Sequence, residues 1–259
     1  MIIYEDLRKE GPMGTEVTRI LSEAKRQGRA ALTEVESKEV LTACGIPVRA
    51  GQVATDPESA AEIADKLGYP VVMKIVSPDI PHKSDVGGVR VNIGSAEAVR
   101  SAFTDIVKKA RLEKPKADIQ GVLIYQMVPE GVELVIGATF SRQFGHAVMF
   151  GLGGIFVEAA MDVVFRLVPL TRGDSLNMIQ EIRGRKILGN FRGKPAVNVN
   201  AVADIIEKLS ALVTDHPEVL EVDLNPVIAS AAGAIIVDAR MAIGEPKKLP
   251  TRSTLRKKS

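Results

Sequence analysis

The sequence predicts a two-lobed α+β protein. Capped helices alternate with apolar strands through the first half, strands dominate the second, and the charged, proline-bearing stretch Glu113 to Asp118 divides them. A doubly wound parallel sheet would instead alternate strand and helix throughout. The expected organisation is a first lobe over residues 1–116, a second over 117–245 and a basic, disordered tail over 246–259.

Local signals justify each element in turn. Thr33-Glu34-Val35-Glu36 has the form of a capping box, and the helix it opens should stop at Gly45. Ile46 to Ala54 reads as a strand. Asp56 then caps a helix with Pro57 in its first turn, and Gly68 closes it. Val71 to Val76 reads as a buried strand, Gly88 to Ile93 as an alternating one, and Ser95 caps a helix running to about Arg111. Gly121 to Val128 and Val132 to Phe140, split by Pro129-Glu130-Gly131, read as a hairpin. A strand from Ala147 to Gly151 leads into GLGG. Helices follow near Leu176 to Ile182 and Val199 to Val213, and two short strands, Val219 to Leu224 and Ala234 to Asp238, finish the body.

Composition limits the function classes. The chain has 259 residues, 46% apolar and 25% charged, with the single cysteine Cys44. That rules out an internal disulfide framework and offers no Cys-x-x-Cys metal spacing, which favours a cytoplasmic setting. No stretch is apolar enough for a leader or a membrane span, so no membrane partner is expected. The net charge of +2 conceals a tail with six basic and no acidic residues. With few aromatics and no RNA motif, that tail does not predict nucleic-acid binding.

Four places carry residue types suited to phosphate. Lys74 lies within the apolar run Val71 to Val76, where it must turn out to solvent or meet an anion, because an unpaired buried ammonium is costly. The segment Pro78 to Val89 holds His82, and its Gly87-Gly88 pair would let backbone N–H groups approach a phosphate. On residues alone, His82 reads equally as an exposed loop histidine; His146 and His216 read as structural. Backbone groups of Gln126, Met127 and Val128 could meet an adenine edge, and Glu133 could accept from ribose hydroxyls, although an ordinary hairpin explains the same pattern. Asn225 and Asp238 fall at neighbouring strand ends and supply hard oxygen ligands for Mg²⁺, with Arg240 close enough to neutralise phosphate charge.

At these residues the sequence resembles the ATP-grasp family, and within it the beta subunit of NDP-forming acyl-CoA synthetases, relatives of succinyl-CoA synthetase. The matching segments are VVMKIVSPDIPHKSDVGGV, LIYQMVPEGVELVIG, MFGLGGIFVE, FRLVPL, EVDLNPV and IIVDAR, in the family's order over roughly residues 30 to 242. The resemblance implies a nucleotide, ATP or ADP, between two lobes. Lys74 would contact its phosphates, Gly87 and Gly88 would cover them, Glu133 would hold the ribose, and Asn225 and Asp238 would hold Mg²⁺. His82 matches a relay histidine that takes a phosphoryl group from a phosphohistidine on the alpha part and passes it to ADP. Glu158 falls in a segment the family places near the active site.

The complete synthetase also needs a CoA-binding domain and a CoA-ligase part. The expected partner is therefore an alpha subunit carrying both, in an α2β2 assembly. A self-contained ATP-grasp carboxylate ligase and a nucleotide-sensing regulatory module are the alternatives. The first needs no histidine relay, and the second needs no intact set of Lys74, Asn225 and Asp238.

Overall fold

The computed structural model describes residues 12–80, 82–154, 162–190, 193 and 195–246. All of the expected tail but Pro246 therefore lies outside the described residues, as does Glu158. Contacts divide the chain into two compact units. One comprises Thr33–Lys38 and Val48–Pro129; the other comprises Met1–Leu32, Glu39–Pro47 and Glu130–Ser259. The division falls at Pro129, not at the expected Glu113 to Asp118.

Pairing beyond that expected boundary explains the difference. In the first unit β1 (Gln52–Ala54), β2 (Val71–Val76), β3 (Val89–Ile93) and β4 (Gly121–Gln126) form one antiparallel sheet in the order β1-β4-β2-β3. β4 supplies an inner strand, pairing with β1 along one edge and β2 along the other. It therefore forms no hairpin with the strand that follows, which belongs to the other sheet. β1 is shorter than expected. Pro47 has no N–H to donate to a ladder, and Gly51 lies so close to β4 that a Cβ would sit 2.6 Å from the Ile124 carbonyl oxygen.

The helices of this unit start where their caps dictate. The Ser59 N–H donates to Asp56 at 2.9 Å, and the Ala98 N–H donates to Ser95 at 3.2 Å. These caps open α3 (Pro57–Leu67) and α4 (Ala96–Glu113). Both helices pack on the sheet face carrying Val71, Met73 and Ile75, with Ala60, Ala64, Val99 and Ile106 in the same core. Since side chains alternate along a strand, Lys74 emerges on the opposite face, beside Tyr125. The preceding helix α2 (Glu34–Ala43) begins at the expected capping box, in which the Thr33 N–H donates to Glu36 at 2.8 Å and the Glu36 N–H donates to Thr33 at 3.2 Å.

The second unit holds an antiparallel sheet of β5 (Val132–Ser141), β6 (Gly145–Leu152), β7 (Val163–Leu167), β8 (Val219–Ser230), β9 (Gly233–Ile236) and β10 (Ala239–Ile243). Its order is β10-β8-β5-β6-β7, with β9 on β8. Ile136, Ala138, Val148, Phe150, Val222 and Leu224 are all buried. α5 (Arg172–Glu181) and α6 (Val199–Asp215) pack together, and α6 lies against β5 and β6. Four elements were not expected from sequence: β7, β10, the 3₁₀ helix Arg183–Leu188, and α1 (Pro12–Arg26), whose Val17, Ile20, Leu21 and Ala24 form a buried stripe. α5 also begins earlier than expected, at a capping box of Thr171 and Asp174. Among the described residues no helix is long and apolar enough to cross a membrane.

Candidate functional site

In the first unit, Lys74 is buried among charges. One carboxylate, Glu34, meets three ammonium groups: Lys38 at 2.9 Å, Lys74 at 3.3 Å and Lys83 at 3.1 Å. The side chain of Glu34 is 1% accessible. Burial raises its pKa, but the pull of Lys74, Lys38 and Lys83 outweighs burial and brings it down to about 2. The Tyr125 ring lies beneath two of these lysines, with the Lys38 Nζ 4.7 Å and the Lys74 Nζ 5.4 Å from its centroid. Of the two outcomes open to Lys74, turning out to solvent or meeting an anion, the structure takes the second, and the anion is internal. Sequence reasoning missed Glu34, Lys38, Lys83 and Tyr125.

His82 is exposed on the segment joining β2 to β3. Its surroundings are pinned. Ile80 and Val86 are buried in the core, and Lys83 holds Glu34. Gly87 adopts φ +62°, a left-handed conformation that glycine takes without strain. At Gly88 a Cβ would come within 2.5 Å of Ile75 Cγ2 and 2.9 Å of the Lys83 carbonyl oxygen. The two glycines were expected to offer N–H groups to a phosphate. Instead, the Gly87 N–H donates to Ser84 O at 3.0 Å and the Gly88 N–H to Lys83 O at 2.8 Å. Their work is to turn the chain and let it lie against β2. Pro81 is outside the described residues.

Gln126, Met127 and Val128 close the same unit's sheet. The Met127 N–H is taken by Pro70 O at 2.9 Å, which removes it from any adenine edge. Backbone groups alternate along an extended strand, so those of Gln126 point to the other edge, where β1 pairs only as far as Ile124; Val128 lies past the end of β4.

The other candidates fall in the second unit. Glu133 is exposed near the start of β5, with its carbonyl accepting from the Gly153 N–H at 2.7 Å. A Cβ on Gly153 would meet the Glu133 backbone at 2.9 Å, and one on Gly154 would meet the Glu133 Oε2 at 3.0 Å. The glycines of GLGG thus let the chain close over this carboxylate.

Asn225 does not end a strand, as expected; it lies within β8. There the ladder slips: Leu134 pairs with Val227 and Ile136 with Leu224, leaving Asn225 and Pro226 as a bulge. Burial parity flips with it, since Val222 and Leu224 are buried before the bulge and Val227 and Ala229 after it. Asp238 occupies the break between β9 and β10. Its neighbours fix its position, because the Val237 N–H donates to Pro226 O at 3.0 Å and Ala239 pairs with Leu224. Asn225 and Asp238 are therefore opposite one another. Arg240 pairs with Asp223 across β10 and β8. Burial raises the Asp223 pKa, Arg240 opposes that shift, and Asp238 and Glu221 add to it. Among the described residues no three His, Cys, Asp or Glu side chains gather as a metal cage. An amide and a carboxylate oxygen, with water and phosphate completing an octahedron, are the chemistry Mg²⁺ accepts.

The remaining histidine readings stand as structural. His146 is buried, with its Nε2 2.8 Å from Val219 O, and His216 ends α6.

These features match a known family along most of the chain: the ATP-grasp domain model aligns with residues 23–243. The chain belongs to the ATP-grasp family. It is 50% identical over 224 residues to the beta subunit of acetate–CoA ligase (ADP-forming) I of Pyrococcus furiosus, covering 86% of this chain and 96% of that subunit. The corresponding isoenzyme II beta subunit of the same organism is 44% identical, over 89% of this chain and 99% of that one. Acetate–CoA ligase (ADP-forming) I of Archaeoglobus fulgidus is 45% identical over 81% of this chain, which spans only 30% of its length. Among solved structures, a dinucleotide-forming acetyl-coenzyme A synthetase 1 from Ca. Korarchaeum cryptofilum, in complex with coenzyme A and Ca-AMPCP, superposes with a TM-score of 0.85 at 43% identity. That match covers 87% of this ATP-grasp chain and 99% of the other. The α+β ATP-grasp fold expected from sequence is the fold observed.

Proposed function

We propose that this ATP-grasp chain is the nucleotide-binding beta subunit of an ADP-forming acyl-CoA synthetase acting on acetate or a similar carboxylate: acyl-CoA + ADP + phosphate gives carboxylate + ATP + CoA. The observation that carries this reading is His82, exposed on a segment pinned on both sides and tied through Lys83 to the carboxylate that also holds Lys74. A phosphoryl relay needs an accessible imidazole in a fixed place, beside cations that neutralise the transferred charge.

In the proposed sequence, a ring nitrogen of His82 attacks the phosphorus of a phosphohistidine on an alpha subunit that carries the CoA-binding and ligase parts. The partner's N–P bond breaks as the new one forms. A terminal oxygen of ADP then attacks the same phosphorus, and the imidazole leaves neutral. Lys74 and Arg240 orient phosphate oxygens, Glu133 accepts from the ribose, and Gln126 and Val128 meet the adenine through their backbone. Asn225 and Asp238 would hold Mg²⁺, which neutralises phosphate charge when bound. An α2β2 assembly in the cytoplasm fits this division of labour.

His82→Asn tests the relay. It retains polarity but offers no imidazole to phosphorylate. The variant should bind Mg²⁺–ATP normally, yet lose acid-labile, base-stable label and ATP formation when mixed with the alpha partner. Full activity with that partner would replace the relay by direct transfer from the alpha subunit to nucleotide.

A further inference from the structure

Four charges taken out of water make a poor stability device. Desolvation costs several kcal/mol per ion before pairing recovers it, and apolar groups of the same volume often serve as well. The cluster around Glu34 does supply a common anchor. A carboxylate has two oxygens, and here Oε1 takes Lys38 and Lys74 while Oε2 takes Lys83. These lysines come from three places: Lys38 from the same helix as Glu34, Lys74 from the middle of β2, and Lys83 from the residue next to His82. Glu34 itself cannot wander. It stands in the first turn of α2, where the box of Thr33 and Glu36 fixes the backbone.

We propose that Glu34 is a positioning residue for phosphoryl transfer, fixing the His82 segment through Lys83 and the phosphate-binding ammonium through Lys74. The inference rests on the relay reading above and extends it to residues that contact neither nucleotide nor imidazole. Apolar anchoring by Ile80 and Val86 holds the segment against the core, but apolar contacts are non-directional. The ion pair adds a charge attraction immediately beside His82. The Gly88 N–H bond to the Lys83 carbonyl, at 2.8 Å, passes that constraint to the end of the segment. One carboxylate thereby sets both the donor-side imidazole and the acceptor-side cation in a common frame.

The test uses the full chain with its alpha partner. It compares Lys83→Met, which keeps the apolar stem and removes the charge, with Lys83→Arg, which keeps the charge. Three quantities are read: the rate of phosphohistidine labelling on His82, Mg²⁺–ATP affinity by calorimetry, and amide exchange at Gly87 and Gly88. Lys83→Met should slow labelling by about 10- to 100-fold, the scale of a misplacement near 1 Å. It should also hasten exchange at Gly88 and leave nucleotide affinity near wild type, because Lys74 keeps Glu34. Lys83→Arg should label close to the wild-type rate. Glu34→Gln should lower both labelling and nucleotide affinity. Wild-type labelling in Lys83→Met overturns the proposal, and so does an equal loss in Lys83→Arg, since a retained charge would then make no difference. If wild-type chain carries no label on His82, the relay itself fails, a result distinct from either of these.

Discussion

Asn225 and Asp238 stand opposite one another beside the bulge at Pro226. Proline has no N–H to give β5, the strand bulges, and the amide stands opposite the break before β10. Charge is the main attraction between such a site and a hard cation. Asp238→Asn keeps the shape and one oxygen donor, so the fold should persist while Mg²⁺-dependent ATP binding weakens by about tenfold, or roughly 1.4 kcal/mol. Calorimetric titration with and without Mg²⁺ measures this, and an unchanged Mg²⁺ dependence removes Asp238 from the metal site. At this scale the sequence was legible at Lys74, whose place in an apolar run requires the anion that Glu34 supplies. Glu34 was not legible. Its position inside a capping-box motif already explained it, and its partner Lys74 lies forty residues away.

Elements were legible where their ends carry side-chain caps, as at Thr33, Asp56 and Ser95. α1 was overlooked although Val17, Ile20, Leu21 and Ala24 have helical spacing, because no capping motif precedes it. β4 and β5 were joined as a hairpin because Pro129-Glu130-Gly131 looks like a turn. A turn signal cannot tell reversal within a sheet from passage to another sheet. A glycine pair on a loop suggests a phosphate cradle, whereas contact with β2 is what requires Gly88. A Cβ there would strike Ile75 and the Lys83 carbonyl, so Gly88→Ala should destabilise by about 1–3 kcal/mol, an overpacking cost. Gly94→Ala is the control: nothing lies within 4 Å of its Cβ. Reduced backbone freedom in the unfolded chain should make it neutral or stabilising by up to about 1 kcal/mol. Denaturant melts compare the two, and equal effects would mean that the segment does not bear on β2 as described.

For the whole molecule, some relatives are spanned almost completely by this chain, whereas of others it is less than a third. The resemblance to the first kind predicts that the isolated chain makes no acyl-CoA from carboxylate, ATP and CoA, and that adding the alpha partner restores synthesis. Thioester formation by the pure chain would favour a self-contained ligase.

The second unit also gathers early and late sequence onto one sheet edge. The Leu32 N–H donates to Met241 O at 3.0 Å, the Ile243 N–H donates to Ala30 O at 2.8 Å, and Ala31 bridges Ala242. A ribosome delivers the chain from its N-terminus. The four-stranded sheet of the first unit has all its strands once residue 126 has emerged. Residues 30–32 must wait for β10, the last strand among the described residues. Synthesis therefore leaves residues 30–32 without their sheet partner until β10 has emerged. A nascent chain stopped before residue 239 should expose that segment to proteases and chaperones, while the first sheet is already built.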